Sequence, residues 1–226
     1  MFYLVSNKKK IIFGFNNKCG SSKIIRIFKY LEYGQINPII HLIEDYQYKL
    51  PTNIEDYIII IFSRNPYKRL ISGFLDKYRK NGQLRYLWKY NILTFSKFVD
   101  KLIQKKWDFI EPNHFTLQTD IKFDKKYLSK ANKFICYDIE NIDYKYIEKL
   151  FNKKIIKYII NKKEGHERIK FKKNFNKNVY DLNINCYYNF NVETKYFYNE
   201  EIKQKVYSFF KNDFLFFKSQ GIYYNY

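Results

Sequence analysis

Two short stretches of the chain carry residue types that bind phosphate. In FNNKCGSSK, residues 15–23, Lys18 offers a point charge, Gly20 permits close backbone approach, and Ser21 and Ser22 supply hydroxyls. An apolar run precedes this loop and a helical pattern follows it. Such a junction presents free backbone N–H groups and the positive end of a helix dipole, a ready phosphate site. In IFSRNPYKRLISG, residues 61–73, Arg64 stands where an apolar run ends and Ser72 lies on the helical pattern that follows. Arginine forks bidentately onto phosphate and a serine hydroxyl can complete the site. Two such sites at one edge of a sheet suit a nucleotide phosphorylated at two separate places. The plain alternative for the first loop is a tight turn with a serine cap.

Counting residues tests two familiar loop chemistries. A nucleotide P-loop has its Lys directly after Gly, whereas Lys18 precedes Gly20 and the first glycine of the pattern is missing. A thiolate phosphatase needs five residues between its Cys and Arg, whereas six separate Cys19 from Arg26. Cys19 therefore reads as a small packing residue. Histidine is the natural base near neutral pH, and His41, His114 and His166 are the available ones.

The elements that must position these groups follow from pattern. Lys10–Phe15 and Tyr57–Phe62 read as buried strands, the second rich in β-branched residues. Each is followed by a helix, the first with Ser21 or Ser22 as N-cap, the second opening at Asn65-Pro66. Tyr67, Leu70, Ile71, Phe74 and Tyr78 form its apolar face, opposite Asn65, Lys68, Arg69 and Ser72. A helix is expected over Thr94–Ile103, a third buried strand over Lys133–Tyr137, a helix over Asp143–Phe151, and one long amphipathic helix over Asn199–Ser219. Residues 161–178 read as a basic loop. The expected architecture is α/β: a single domain over residues 1–226, with a three-layer, P-loop-like arrangement and a mainly parallel central sheet flanked by helices.

Composition bounds the partners. The 226 residues are 46% hydrophobic and 21% aromatic, enough for a sizeable core. The formal net charge of +20 points to anionic partners, although an AT-rich coding sequence also enriches Lys, Asn, Ile and Tyr. Three cysteines without paired spacing argue against a disulfide framework or zinc site and fit a reducing compartment. The N-terminal order, apolar then lysine-rich, is the reverse of a secretory signal, and no apolar run is long enough to span a bilayer. A soluble protein of the reducing cytoplasm is expected. The composition and compact length suit a large DNA virus, for which host cytoplasm or virion is the compartment, or an AT-rich parasite or bacterium.

The motifs together resemble the sulfotransferases that use 3′-phosphoadenosine 5′-phosphosulfate, and within them the chondroitin- and heparan-type carbohydrate branch. NKCGSS is similar to their PKxGST loop, with Asn17 for Pro. SRNPYKRLISGFLDKY is similar to RDPxxRLxSxxxxK: Arg64, Pro66, Arg69, Leu70, Ser72 and Lys77 match and Asn65 replaces Asp. NHFTLQ resembles HWxPQ, with Phe115 for Trp and Leu117 for Pro; FICYDIENI resembles FIGxxE, and VYSFFKNDFLFF resembles IYxxYxxDFxxF.

The resemblance implies in-line transfer of a sulfuryl group to a hydroxyl, leaving 3′-phosphoadenosine 5′-phosphate, with no metal. It implies Lys18 at the departing phosphate, with Cys19, Gly20, Ser21, Ser22 and Lys23 along the 5′ loop; Lys23 stands where many members carry Trp. Arg64 and Ser72 take the 3′-phosphate. His41, twenty-three residues before Arg64, matches the catalytic histidine of some branches, with Glu44 in reserve. His114 falls in the acceptor segment. The acceptor is expected to be a glycan or glycoconjugate, with no obligate nucleic acid. A basic nucleic-acid-binding module, and a homologue that binds the nucleotide without turnover, are the alternatives. KKEGHERIKFKK, residues 162–173, either closes over the donor or is a solvated loop.

Overall fold

The structure, a computed structural model, describes residues 1–38, 50–79, 82–88, 92–119, 130–161, 174–187 and 190–225. His41, Glu44, His166 and the basic segment 162–173 lie outside the described residues. The chain divides into two compact units. The first comprises Met1–Arg64, Gln118–Glu164 and Phe217–Ile222; the second comprises Asn65–Leu117, Gly165–Phe216 and Tyr223–Tyr226.

The first unit is built on a four-stranded sheet: β1 (Phe2–Ser6), β2 (Ile11–Phe15), β3 (Ile58–Ser63) and β4 (Lys133–Asp138), in that spatial order. β1 is an addition to the expected strands. It folds back on β2 as an antiparallel hairpin through the lysine-rich turn, where Lys10 takes a φ of 55° and Ser6 Oγ accepts from Lys9 N–H. The other pairings are parallel, with Phe13 beside Ile60 and Ile60 beside Ile135. The isoleucine run of β3 is buried on both faces, as its position between two strands requires. β4, expected to be buried, is an edge strand among the described residues and its side chains are only partly covered.

Helix α1 (Ser21–Tyr33) packs Ile24, Ile25, Ile27, Phe28 and Leu31 against the sheet residues Leu4, Phe13, Phe15, Ile60 and Phe62. The helices of the first unit's later segment complete that core with Ile147, Phe151 and Ile159. Phe13 meets Phe28, Phe62 and Phe151 edge-on at 5.0–5.9 Å between ring centres, which adds a directional term to area burial. Arg26 is also buried, with Nη1 donating to the Ile159 carbonyl at 3.0 Å.

The second unit contains α2 (Pro66–Tyr78), α3 (Phe95–Ile103) and the short α4 (Pro112–Phe115). After α5 (Tyr144–Phe151) and α6 (Lys157–Asn161) of the first unit, it resumes with α7 (Glu200–Phe209) and much of α8 (Lys211–Ser219). Tyr67, Leu70, Phe74 and Tyr78 of α2 join Phe95, Phe98, Phe115, Phe197 and Val206 in an aromatic core. Gly73 is needed where Phe115 crosses α2, since a Cβ there would stand 2.6 Å from its ring. Arg69, expected on the polar face, is 2% exposed: its Nη1 donates to the Thr116 carbonyl at the end of α4. The long terminal helix is in fact two. Phe209 and Phe210 are adjacent aromatics, which are weak helix formers, and Phe210 leaves helical geometry while remaining buried. Asn199 caps α7 as expected, accepting from Ile202 N–H.

The result is a mostly parallel sheet flanked by helices, the α/β class expected from the pattern. Among the described residues no helix is long and apolar enough to cross a membrane.

Candidate active site

Parallel strands β2 and β3 end side by side, Phe15 opposite Phe62, and the site grows from their C-terminal ends. After β2 the chain makes a tight turn closed by Cys19 N–H on the Asn16 carbonyl at 3.2 Å. Lys18 and Gly20 both take left-handed backbone, with φ of 66° and 72°. Gly20 is required twice over, because a Cβ would also stand 2.5 Å from Ile139 Cγ1. Gly20, not a serine, is the N-cap of α1, and no side chain caps the helix among the described residues. Ser21 and Ser22 are its first two residues. Their hydroxyls are not used as caps, and their N–H groups have no intrahelical carbonyl to bind. Lys23 follows, its ammonium 5.4 Å from the centre of the Tyr144 ring, a cation–π geometry.

Arg64 is the first residue beyond β3. Its Nη1 donates to the Lys18 carbonyl at 3.2 Å, tying the end of one strand to the loop after the other. Its Nε is buried with no hydrogen-bond partner among the described residues. A buried orphan donor on a guanidinium is costly unless an anion completes it. A strained loop, an uncapped helix start, a lysine and this arginine fit a phosphate-bearing nucleotide.

Gln118 joins the same cluster. It is 1% exposed; its side-chain amide pairs with the backbone of Arg64, its Oε1 also accepts from Cys19 Sγ, and its carbonyl accepts from Asn16 Nδ2. Cys19 is fully buried, in keeping with its reading as a packing residue. Sequence reasoning assigned Gln118 no role. The available signal was NHFTLQ, in which the Gln of HWxPQ survives although Trp and Pro are replaced.

In the second unit, Asn65 caps α2 by accepting from Tyr67 N–H at 3.0 Å, and its Nδ2 donates to the Asn225 carbonyl at 2.8 Å. Ser72 sits half-buried on α2. A cavity of about 470 Å³ is lined by Asn65, Tyr67, Lys68, Thr194, Lys195 and Asn225, among others. His114 lies at the end of α4, its Nδ1 paired with the Glu111 carboxylate, which also accepts from the N–H groups of Asn113 and His114. Burial alone would raise the Glu111 carboxyl; the bonds from His114 and Asn113 outweigh it and hold it below the ordinary carboxylate range.

Among the described residues no group of His, Cys, Asp and Glu is arranged to hold a metal ion. Burial pushes the Cys136 thiol up to about 12, which makes it a poor nucleophile. Lys18, Cys19, Gly20, Ser21, Ser22, Lys23 and Arg64 thus belong to one cluster in the first unit, while Ser72 and His114 belong to the second.

Neither curated proteins nor solved structures give a significant match to the chain. The model of the sulfotransferase family matches residues 2–220. The match takes in nearly the whole chain, including every element of the cluster, and the protein belongs to the sulfotransferase family.

Proposed function

We propose that the protein moves a sulfuryl group from 3′-phosphoadenosine 5′-phosphosulfate to a hydroxyl of a carbohydrate. The observation that carries this reading is the Arg64 guanidinium, bonded to the Lys18 carbonyl and holding a buried Nε that is unsatisfied among the described residues. An arginine so held has capacity for the 3′-phosphate, with Ser72 adding a hydroxyl. The N–H groups of Ser21 and Ser22 take the 5′-phosphate. Lys18 stabilises negative charge as the bond from sulfur to the phosphate oxygen breaks and its electron pair passes to that oxygen. His41 accepts the hydroxyl proton as the new bond from oxygen to sulfur forms, with Glu44 as the alternative base. The carbohydrate acceptor is supported by the carbohydrate-type motif at 64–77, and His114 is assigned to the acceptor side. Both units act as one sulfotransferase domain, a reading supported by a family match that runs through both.

Thermal unfolding with and without 3′-phosphoadenosine 5′-phosphate tests the donor. A ligand at a hundred times its dissociation constant stabilises by about 2.7 kcal/mol, or roughly 5–10 °C for a chain of this size. The shift is expected in wild type and cut by about half or more in Arg64→Ala. No shift in wild type overturns the donor assignment. His41→Ala should abolish sulfation and leave the nucleotide shift intact; normal turnover removes His41 from the mechanism.

A further inference from the structure

Gln118 binds both strand ends from which the donor loops spring. Its Nε2 donates to the Arg64 carbonyl and its Oε1 accepts from the Arg64 N–H, each at 2.9 Å. The same Oε1 accepts from Cys19 Sγ at 2.9 Å, and the Gln118 carbonyl accepts from Asn16 Nδ2 at 2.7 Å. An amide that engages both backbone groups of one residue mimics a further β-bridge, here at the point where the β2–β3 ladder ends. Few side chains can do this. Asn is one methylene shorter, Glu has no donor when ionised, and Met has neither group. The network is buried, so each bond acts in low dielectric and each loss leaves an orphan polar atom.

We propose that Gln118 is a positioning residue that sets the separation between the loop binding the 5′-phosphate and the arginine binding the 3′-phosphate, and so makes the site selective for adenosine phosphorylated at both positions. This inference rests on the donor assignment above. Arg64 departs from a backbone fixed by Gln118 at both N–H and carbonyl. Its guanidinium leans on the Lys18 carbonyl, and the loop holding Lys18 is fixed by Gln118 through Cys19 and Asn16. Releasing Gln118 frees the arginine relative to the loop. A bisphosphate, which needs both at a set spacing, loses affinity; a 5′-monophosphate, which needs the loop alone, loses little. A merely structural role would weaken both nucleotides alike.

The test is calorimetric titration of wild type, Gln118→Met, Arg64→Ala and the double variant with adenosine 3′,5′-bisphosphate and with AMP. Wild type is expected to prefer the bisphosphate by at least about 100-fold, near the lower end of the worth of two charge-assisted hydrogen bonds. Gln118→Met should cut that preference by about tenfold or more while changing AMP affinity by less than about threefold. In the Arg64→Ala background Gln118→Met should change the preference no further, since coupled residues are non-additive. A folded Gln118→Met with unchanged preference, or with both nucleotides weakened equally, overturns the positioning role and leaves the donor assignment standing. Wild type that binds no bisphosphate overturns both. Should the Met variant not fold, Gln118→Glu, which keeps the length and the acceptor but loses the bond to the Arg64 carbonyl, is read in the same way.

Discussion

Arg64 donates through Nη1 to the carbonyl oxygen of Lys18 at 3.2 Å, so a side chain rooted at the end of β3 braces the loop that follows β2. A lysine at position 64 would supply charge without the fork. Arg64→Ala should therefore lose about half or more of the nucleotide-induced thermal shift, and Arg64→Lys should recover less than half of that loss. Charge-assisted bonds of about 1.5–3 kcal/mol correspond to roughly 10- to 150-fold weaker binding. A full shift in Arg64→Lys would mean that charge alone suffices.

The brace reaches the Lys18 backbone, which substitution at its side chain leaves in place. Alanine at position 18 also carries the same left-handed strain as lysine. Lys18→Ala thus isolates the ammonium. Its kcat for sulfate transfer should fall about 10²- to 10³-fold, the worth of one preorganised group at a developing charge, with nucleotide affinity changed by less than about tenfold. Steady-state kinetics together with titration separate the two effects.

At Gly20 the expectation concerns stability as well as binding. Gly20→Ala meets both the left-handed φ and the Ile139 side chain. The conformational cost alone is about 1–2 kcal/mol, a loss of roughly 2–8 °C in Tm. Adding Ile139→Ala should remove the steric part and leave the conformational part, so the two substitutions should be non-additive in a thermal-melt cycle.

Asn65 explains its own departure from the RDP pattern. Its amide accepts from Tyr67 N–H and donates to the Asn225 carbonyl, and Asp could do only the first. Asn65→Asp should keep global stability within about 1 kcal/mol, because Asp and Asn cap equally well. It should also free the residues around Asn225, read as faster hydrogen exchange there. Unchanged protection of the tail would show that the Asn225 contact does not hold it.

Glu111 gives a pH dependence with a definite sign. Its folded pKa is lowered, so its contribution to stability is complete above the ordinary glutamate range and is lost as pH falls through the lowered folded value. Glu111→Gln removes that dependence. The gap in Tm between wild type and Glu111→Gln should be widest near neutral pH and close on acidification; a constant gap would assign Glu111 no titration-linked role.

Much of the architecture was legible from pattern. The isoleucine run of β3, the Asn65-Pro66 start of α2, and the helix over Thr94–Ile103 each depend on local pattern and appear as expected, with Thr94 as the cap of α3. β1 was missed because its strand character lies in pairing with β2 across a lysine turn, which periodicity over five residues does not reveal. Arg69 was read by residue type as solvent-facing, yet a carbonyl from a distant segment makes its burial tolerable. The site divided in the same way. Lys18, Gly20 and Arg64 were legible because each is adjacent to a strand end, whereas Gln118 reaches the cluster only through tertiary folding, 54 residues beyond Arg64.

That separation has a bearing on how such a protein can vary. The Arg64–Gln118 clasp closes a 54-residue excursion of the chain. Joining its ends costs about 3.5 kcal/mol of chain entropy plus a constant, and the clasp's two hydrogen bonds are worth roughly 1 kcal/mol each. Because that entropy grows only with the logarithm of length, doubling the excursion adds about 0.6 kcal/mol. Exposed connections inside it can lengthen or shorten in a descendant lineage while the residues at its neck keep their spacing and the buried helix faces keep theirs. The clasp makes the neck a fixed point, and the exposed connections beyond it the places where novelty is cheap.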